Sequence, residues 1–208
     1  LAIYEYSLWK SGIKLICGVD EAGRAPLAGP VTAGAVIMPE NCRRTGITDS
    51  KLLSASKREE LAEKIKNKAL AWAVESVDHE TIDRINILQA SLLAMKRAIF
   101  KLAMETDLVL VDGNQLIPNL NIPQEYVIKG DSKSVCIGAA SILAKVERDR
   151  IMAEYHEIFP YYNFKQNKGY PTPEHRRAIH THGPCRIHRM SFRLLPEGVL
   201  QEALPLER

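Results

Sequence analysis

No run of about eighteen apolar residues occurs in this 208-residue chain, so nothing in it has the length of a membrane-spanning helix. The segment Leu1 to Lys14 carries Glu5 and Lys10 and lacks a signal-like apolar stretch. A soluble, cytoplasmic protein with no membrane partner is therefore expected. Cysteine is sparse. Cys17, Cys42, Cys136 and Cys185 are scattered with no C-x-x-C pair, which argues against a disulfide framework and for free thiols in apolar surroundings. No internal repeat, no low-complexity tract and no G-x-x-x-x-G-K-[ST] phosphate loop occurs. What remains, with 46% hydrophobic residues, suits one domain with a full core and at most a small appendage.

Against these absences stand four acids. Asp20 and Glu21 follow Leu15-Ile16-Cys17-Gly18-Val19, Asp112 follows Leu108-Val109-Leu110-Val111, and Asp131 stands just beyond Tyr126-Val127-Ile128. Such runs read as strands, so acids far apart in sequence become neighbours where strands of one sheet end. Two bare carboxylates about 4 Å apart repel by roughly 4 kcal/mol at an effective dielectric of about 20. A cluster of them must take up protons or bind a divalent cation. Hard oxygen donors favour Mg²⁺ or Mn²⁺, which at paired sites activate an attacking oxygen and stabilise a leaving one in phosphoryl transfer.

The net charge of +3 hides an asymmetry. Between Pro160 and Arg193 seven basic residues (Lys165, Lys168, Arg176, Arg177, Arg186, Arg189 and Arg193) face the single acid Glu174, a local +6 that leaves −3 for the rest. Taken alone this is a solvated basic surface. Interleaved with Tyr161, Tyr162, Phe164 and Tyr170, on a chain that also carries an acidic cluster, it suits a polyanion gripped in one place and cut in another.

The pattern predicts strands at 15–20, 31–38, 71–77, 108–111 and 126–128. Ser56-Lys57-Arg58-Glu59 has capping-box spacing and predicts a helix from Ser56 to about Lys68. The stripe Leu88, Leu92, Met95, Ile99 and Leu102 predicts a second helix, Lys133 to about Ile158 a long third, and Thr172-Pro173-Glu174 opens a short one. Three strands followed by alternating helix and strand make an α/β protein, a mixed sheet flanked by helices.

The segment Gly18-Val19-Asp20-Glu21-Ala22-Gly23-Arg24 resembles the opening motif of type 2 ribonucleases H, the bacterial ribonuclease HII group. The resemblance continues through Pro26-Leu27-Ala28-Gly29-Pro30-Val31, Asp49-Ser50-Lys51, Val111-Asp112-Gly113, Lys129-Gly130-Asp131, the block from Ala139 to Asp149, and Lys168-Gly169-Tyr170-x-Thr172-x-x-His175. These blocks stand in family order from about residue 15 to 193. The resemblance implies a ribonuclease H-like mixed five-stranded sheet in a core over 1–160, with a basic, helical C-terminal segment over 161–208 that contributes substrate contacts.

It also implies an endonuclease that hydrolyses the RNA strand of RNA/DNA hybrids and cuts on the 5′ side of ribonucleotides embedded in duplex DNA. The products are a 3′-hydroxyl and a 5′-phosphate, the cofactor Mg²⁺ or Mn²⁺, and the setting DNA replication and repair, with the chain acting as a monomer. By motif, Asp20, Glu21, Asp112 and Asp131 are the metal-binding catalytic carboxylates. The backbone of Gly23, Arg24 and Ala25 faces the ribose 2′-hydroxyl, the group that distinguishes RNA from DNA. Tyr170 stacks on the deoxyribose after the junction, while Ser50 and Lys51 lie near phosphates. One residue departs from the family's Gly-Arg-Gly: Ala25 stands at its third position. A side chain there adds bulk, and a left-handed backbone would cost it roughly 1–2 kcal/mol. Altered junction selectivity is the expectation.

Several residues have simpler accounts. Asp49 and Asp149 suit caps or turns, Asp149 pairing with Arg148 or Lys145. His180, His182, Cys185 and His188 match no common zinc spacing and read as histidines of an exposed basic surface. Two other functions use the same features: a Mg²⁺-dependent nucleotide-hydrolysing switch, and a non-catalytic duplex-binding module.

Overall fold

Val19 and Val111 lie side by side on neighbouring parallel strands, and the fold is built outward from that pair. The structure, a computed structural model, describes residues 4–40, 42 and 54–195. Five strands, β1 (Ile16–Ala22), β2 (Val31–Ile37), β3 (Ala71–Val77), β4 (Leu108–Asp112) and β5 (Gln124–Val127), form one sheet in the order β3-β2-β1-β4-β5. β1, β2 and β3 pair antiparallel, whereas β4 runs parallel to β1 and β5 parallel to β4. The expected mixed five-stranded sheet flanked by helices is thus observed.

The pleat sorts the sheet's side chains onto two faces. Cys17, Val19, Val109 and Val111 join a core under α3 (His79–Ile85) and α4 (Ile87–Lys101), where Ile82, Ala94, Met95 and Ile99 are buried. Ile16, Val36, Leu108 and Leu110 face α2 (Ala55–Lys68) and the long α5 (Val135–Ile158) through Ala62, Ile65, Ile137, Ala140 and Leu143. Two strand glycines let α5 approach closely. A Cβ on Gly18 would collide with the backbone of Cys136 and Ile137, and one on Gly34 with the carbonyl of Ala140.

Helix starts differ from the sequence expectation by two residues. Ser54 caps α2, its Oγ accepting from the Lys57 N–H at 3.3 Å, so Ser56 lies inside the helix. α5 begins at Val135 behind the cap Ser134, β1 runs on to Ala22, and β5 lies at 124–127. The short α1 (Glu5–Lys10) carries no signal that the sequence reading used. It places the fully buried Glu5 carboxylate at the start of α5, where the N–H groups of Cys136 (2.9 Å) and Val135 (3.2 Å) and the Ser134 hydroxyl donate to it. That is the favourable end of the helix for an anion.

Beyond α5 come a 3₁₀ turn (Pro160–Tyr162), α6 (Phe164–Asn167) and α7 (Pro173–His182), the expected helical extension. Thr172 caps α7 as expected, accepting from the His175 N–H at 3.1 Å. A third apolar cluster joins this extension to the loop after β1: Leu27, Ala28 and Met152 pack with Tyr162, Phe164, Ile179, Cys185 and Ile187. No helix among the described residues is long and apolar enough to cross a membrane.

Candidate active site

Asp20 and Asp112 follow directly after Val19 and Val111, the final pair in the parallel register of β1 and β4, so both acids stand together toward the carboxyl ends of these strands. Alternation turns both toward the α5 face, which Gly18 and Leu110 share. Asp20 is 6% exposed. Its Oδ1 accepts the Glu21 N–H at 2.7 Å, and the Ser141 hydroxyl of α5 also hydrogen-bonds to it. Asp131 reaches the same end from a different element. The Asp112 Oδ1 accepts the Gly130 N–H at 2.7 Å and so fastens to β4 the 3₁₀ turn Gly130–Ser132 that carries Asp131. Lys129, at φ 56°, makes the sharp entry to that turn.

The electrostatics are those of crowded acids. Burial, then the charges of Glu21 and Asp112, pushes the Asp20 carboxyl well above the usual aspartate range, against the bonds from Ser141 and the Glu21 N–H. Burial lifts Glu21 as well, opposed by Arg24, whose Nη1 lies 3.2 Å from Oε1. Asp112 is raised by burial and by Asp131, with the Gly130 N–H pulling the other way. A group of carboxylates held above their normal protonation range suits a hard divalent cation. Among the described residues no three His, Cys, Asp or Glu groups are arranged to hold one ion by themselves. One or two carboxylates, with waters and substrate phosphate completing the shell, is how Mg²⁺ is commonly held.

Behind the acids lies a loop gripped by two buried arginines. Arg148 of α5 donates from Nε to the Pro30 carbonyl (3.0 Å), from Nη2 to Ala28 (3.2 Å) and from Nη1 to Lys168 (3.0 Å). Arg189 donates to the carbonyls of Gly23 (2.7 Å), Arg24 (3.0 Å), Gly29 (3.0 Å) and Pro30 (3.1 Å). Burial holds Arg148 down to about 10 and Arg189 to about 9, the latter helped by repulsion from Arg148. Both remain cations at neutral pH. Gly23 has φ +97°, and a Cβ there would collide with the Arg148 guanidinium. Ala25 is exposed and is not among the residues of positive φ, so the left-handed penalty considered from sequence does not arise.

Residues 17–195 match the family model for ribonuclease HII. The chain belongs to the ribonuclease HII family. Ribonuclease HII of Pelodictyon phaeoclathratiforme is 54% identical over 200 residues, covering 94% of this chain and 97% of that protein. The crystal structure of ribonuclease H2 from Pyrococcus horikoshii OT3 is similar with a TM-score of 0.73 and 26% identity, over 86% of this chain and 94% of that one. Bst-RNase HIII, solved in complex with Mn²⁺, shares the fold with a TM-score of 0.67 at 18% identity, over 83% of this chain and 64% of that one. Ribonuclease HII membership makes this chain a hydrolase of the ribonuclease H kind.

Within that family assignment, the structure brings Asp20, Glu21, Asp112 and Asp131 to one end of the sheet, with Gly23, Arg24 and Ala25 on the loop that continues from β1. Tyr170 is 39% exposed, and its hydroxyl is near enough to Arg148 and Arg189 to influence both. Asp49, Ser50 and Lys51 lie outside the described residues.

The basic segment is not all surface. Lys165, Arg177, Arg186 and Arg193 are exposed, but Arg189 is fully buried because backbone carbonyls take its donors. The reading of exposed histidines holds for His180 and His182 and fails for His188, which is buried beside Cys185 and against Tyr162 and His175. Asp149 pairs with Lys145 at 2.5 Å, as one of the two expectations had it, and with Arg58 at 3.6 Å, while Arg148 turns inward. A sequence signal for Arg148 existed: it lies four residues from the buried Ala144 and from the buried Met152, on the inner face of α5.

Proposed function

We propose that the chain is a metal-dependent endoribonuclease that hydrolyses the RNA strand of RNA/DNA hybrids and cuts on the 5′ side of ribonucleotides in duplex DNA. The reading rests above all on the side-by-side placement of Asp20 and Asp112 at the ends of β1 and β4, both with raised proton affinity. Asp20, Glu21, Asp112 and Asp131 would hold Mg²⁺ or Mn²⁺, which when bound lowers the charge on a phosphodiester and the pKa of an attacking water. The acids are then orienting groups, and none is a covalent nucleophile. Cleavage leaves a 3′-hydroxyl and a 5′-phosphate.

The backbone of Gly23, Arg24 and Ala25 contacts the ribose 2′-hydroxyl in this reading, Tyr170 stacks on the following deoxyribose, and Ser50 and Lys51 contact phosphates. The core over 1–160 carries the chemistry and the basic segment from residue 161 the grip on the duplex. Such a monomeric enzyme would serve DNA replication and repair in the cytoplasm.

The test compares a duplex with one ribonucleotide, a long RNA/DNA hybrid and an all-DNA duplex, each with Mg²⁺ or Mn²⁺. The first two are cut and the third survives; Asp112→Asn abolishes cutting while leaving the fold intact. Full activity in that variant would remove Asp112 from the mechanism. Saturable ATP hydrolysis without nuclease activity, or metal-independent duplex binding without cleavage, would favour the other two functions.

A further inference from the structure

Two buried histidines touch ring to ring, and neither belongs to the carboxylate site. The Nε2 atoms of His175 and His188 are 3.0 Å apart. His175 Nδ1 is 2.9 Å from the Tyr170 carbonyl, and His188 Nδ1 is 3.1 Å from both the thiol sulfur and the carbonyl of Cys185. The proton positions follow from the partners. A carbonyl only accepts, so His175 Nδ1 carries hydrogen and its Nε2 is bare. The hydrogen between the rings therefore belongs to His188 Nε2. A hydrogen on His188 Nδ1 as well, directed at the Cys185 carbonyl, would make that ring a cation.

Burial opposes this, holding His188 down to about 3 and lowering His175. In the neutral ring Nδ1 is bare, and the Cys185 thiol is the donor that reaches it.

We propose that Cys185, His188 and His175 form a one-directional hydrogen-bond relay ending on the Tyr170 carbonyl, and that His188 and His175 are positioning residues for the Tyr170 ring. The inference rests on the reading of Tyr170 as a substrate contact. The backbone of Tyr170 is pinned at both ends, its N–H donating to Asn167 at 2.9 Å and its carbonyl also accepting from Thr172 at 2.8 Å. The segment holding the relay is the one that holds the loop after β1. His188 bridges to Ala28, the Arg189 N–H donates to the Leu27 carbonyl at 2.8 Å, and the Gly29 N–H donates to Ile187 at 2.9 Å. Arg189 then grips Gly23 and Arg24 from the next position along. Residues 187–189 thereby set the spacing between the Gly23–Ala25 backbone and Tyr170, the two groups proposed to face successive sugars.

Long-range ¹H–¹⁵N spectra of the labelled full chain at neutral pH report the tautomers directly. His175 is expected as the Nδ1–H form and His188 as the Nε2–H form; a cation on either ring, or Nδ1–H on His188, overturns the relay. In kinetics on the single-ribonucleotide duplex, His188→Leu is expected to raise KM about tenfold with kcat within about twofold, and His188→Gln, whose amide still donates to His175, to restore KM to within about threefold. Equal losses in both variants, or losses that follow the melting temperature, overturn the positioning role. The wild-type spectra decide the relay even where His188→Leu fails to fold. Because they need no substrate, an inactive wild-type chain would sink the proposed activity and with it the positioning role while leaving the relay standing, and wrong tautomers would sink the relay while leaving the activity standing.

Discussion

Arg189 Nη2 donates to the carbonyl of Gly23 at 2.7 Å across 166 positions of sequence, tying the C-terminal segment to the loop beside the acids. The same guanidinium serves three further carbonyls, those of Arg24, Gly29 and Pro30. Lysine keeps the charge but not the planar fork. Arg189→Lys is expected to lower stability by about 1–3 kcal/mol, the cost of a buried carbonyl left without a donor. Urea unfolding measures it, and a change within about 0.5 kcal/mol, the range of ordinary surface substitutions, would show that the grip contributes little.

The raised carboxyls at the ends of β1 and β4 make a prediction of definite sign. Asp20, Glu21 and Asp112 hold protons more tightly folded than at the ordinary values of 3.8 for aspartate and 4.5 for glutamate. The folded chain thus binds more protons than the unfolded one. This contribution is fully present below the ordinary values and is lost as pH rises through the raised ones. Metal-free protein should therefore lose melting temperature on going upward from the ordinary carboxylate range, and Asp112→Asn should flatten that loss. Mg²⁺ should restore wild-type stability at neutral pH more than it does in the variant. Identical pH profiles for the two proteins would contradict the assigned repulsion.

At the start of α2 the structure and the sequence pattern name different serines. Ser54 accepts the Lys57 N–H, whereas Ser56 is the second residue of the helix. Ser54→Ala is expected to cost about 1 kcal/mol and Ser56→Ala little or nothing, since alanine is the better helix former. Chemical denaturation of the two variants separates the alternatives, and the reverse order of effects would restore the capping box at Ser56.

These cases show what one sequence makes legible. Asp20 and Asp112 could be found because each ends an apolar run, and strands of one sheet bring such ends together. The cap Thr172 could be found because its partners lie within three residues. Glu5 could not: its hydrogen-bond partner Ser134 is 129 positions away, in a helix whose start has no other mark in α1. Arg189 and Arg148 escaped for a related reason. Their partners are backbone carbonyls, which any residue supplies, so no complementary acid betrays them. The surface reading fails at His188 because an H-x-H-x₂-C-x₂-H string places His182 on the surface and His188 in the interior alike.

Ala25 is where sequence and structure together yield a sharper expectation than either alone. Its backbone is outside the left-handed region and its side chain is exposed, so it carries no penalty in the folded chain. What remains is one methyl group on a loop proposed to approach a ribose. A duplex with one ribonucleotide offers a single productive register, so hindrance there falls on every turnover, whereas a long hybrid offers many sugars to try. Ala25→Gly is expected to raise kcat/KM about tenfold on the single-ribonucleotide duplex, the lower end of what one carbon's misfit is worth, and by less on the hybrid. The same change should lower stability by about 0.4–1 kcal/mol through the freer unfolded chain. Activity rising while stability falls would separate a local steric effect from general improvement of the fold, and equal gains on both substrates would refute a junction-specific role for Ala25.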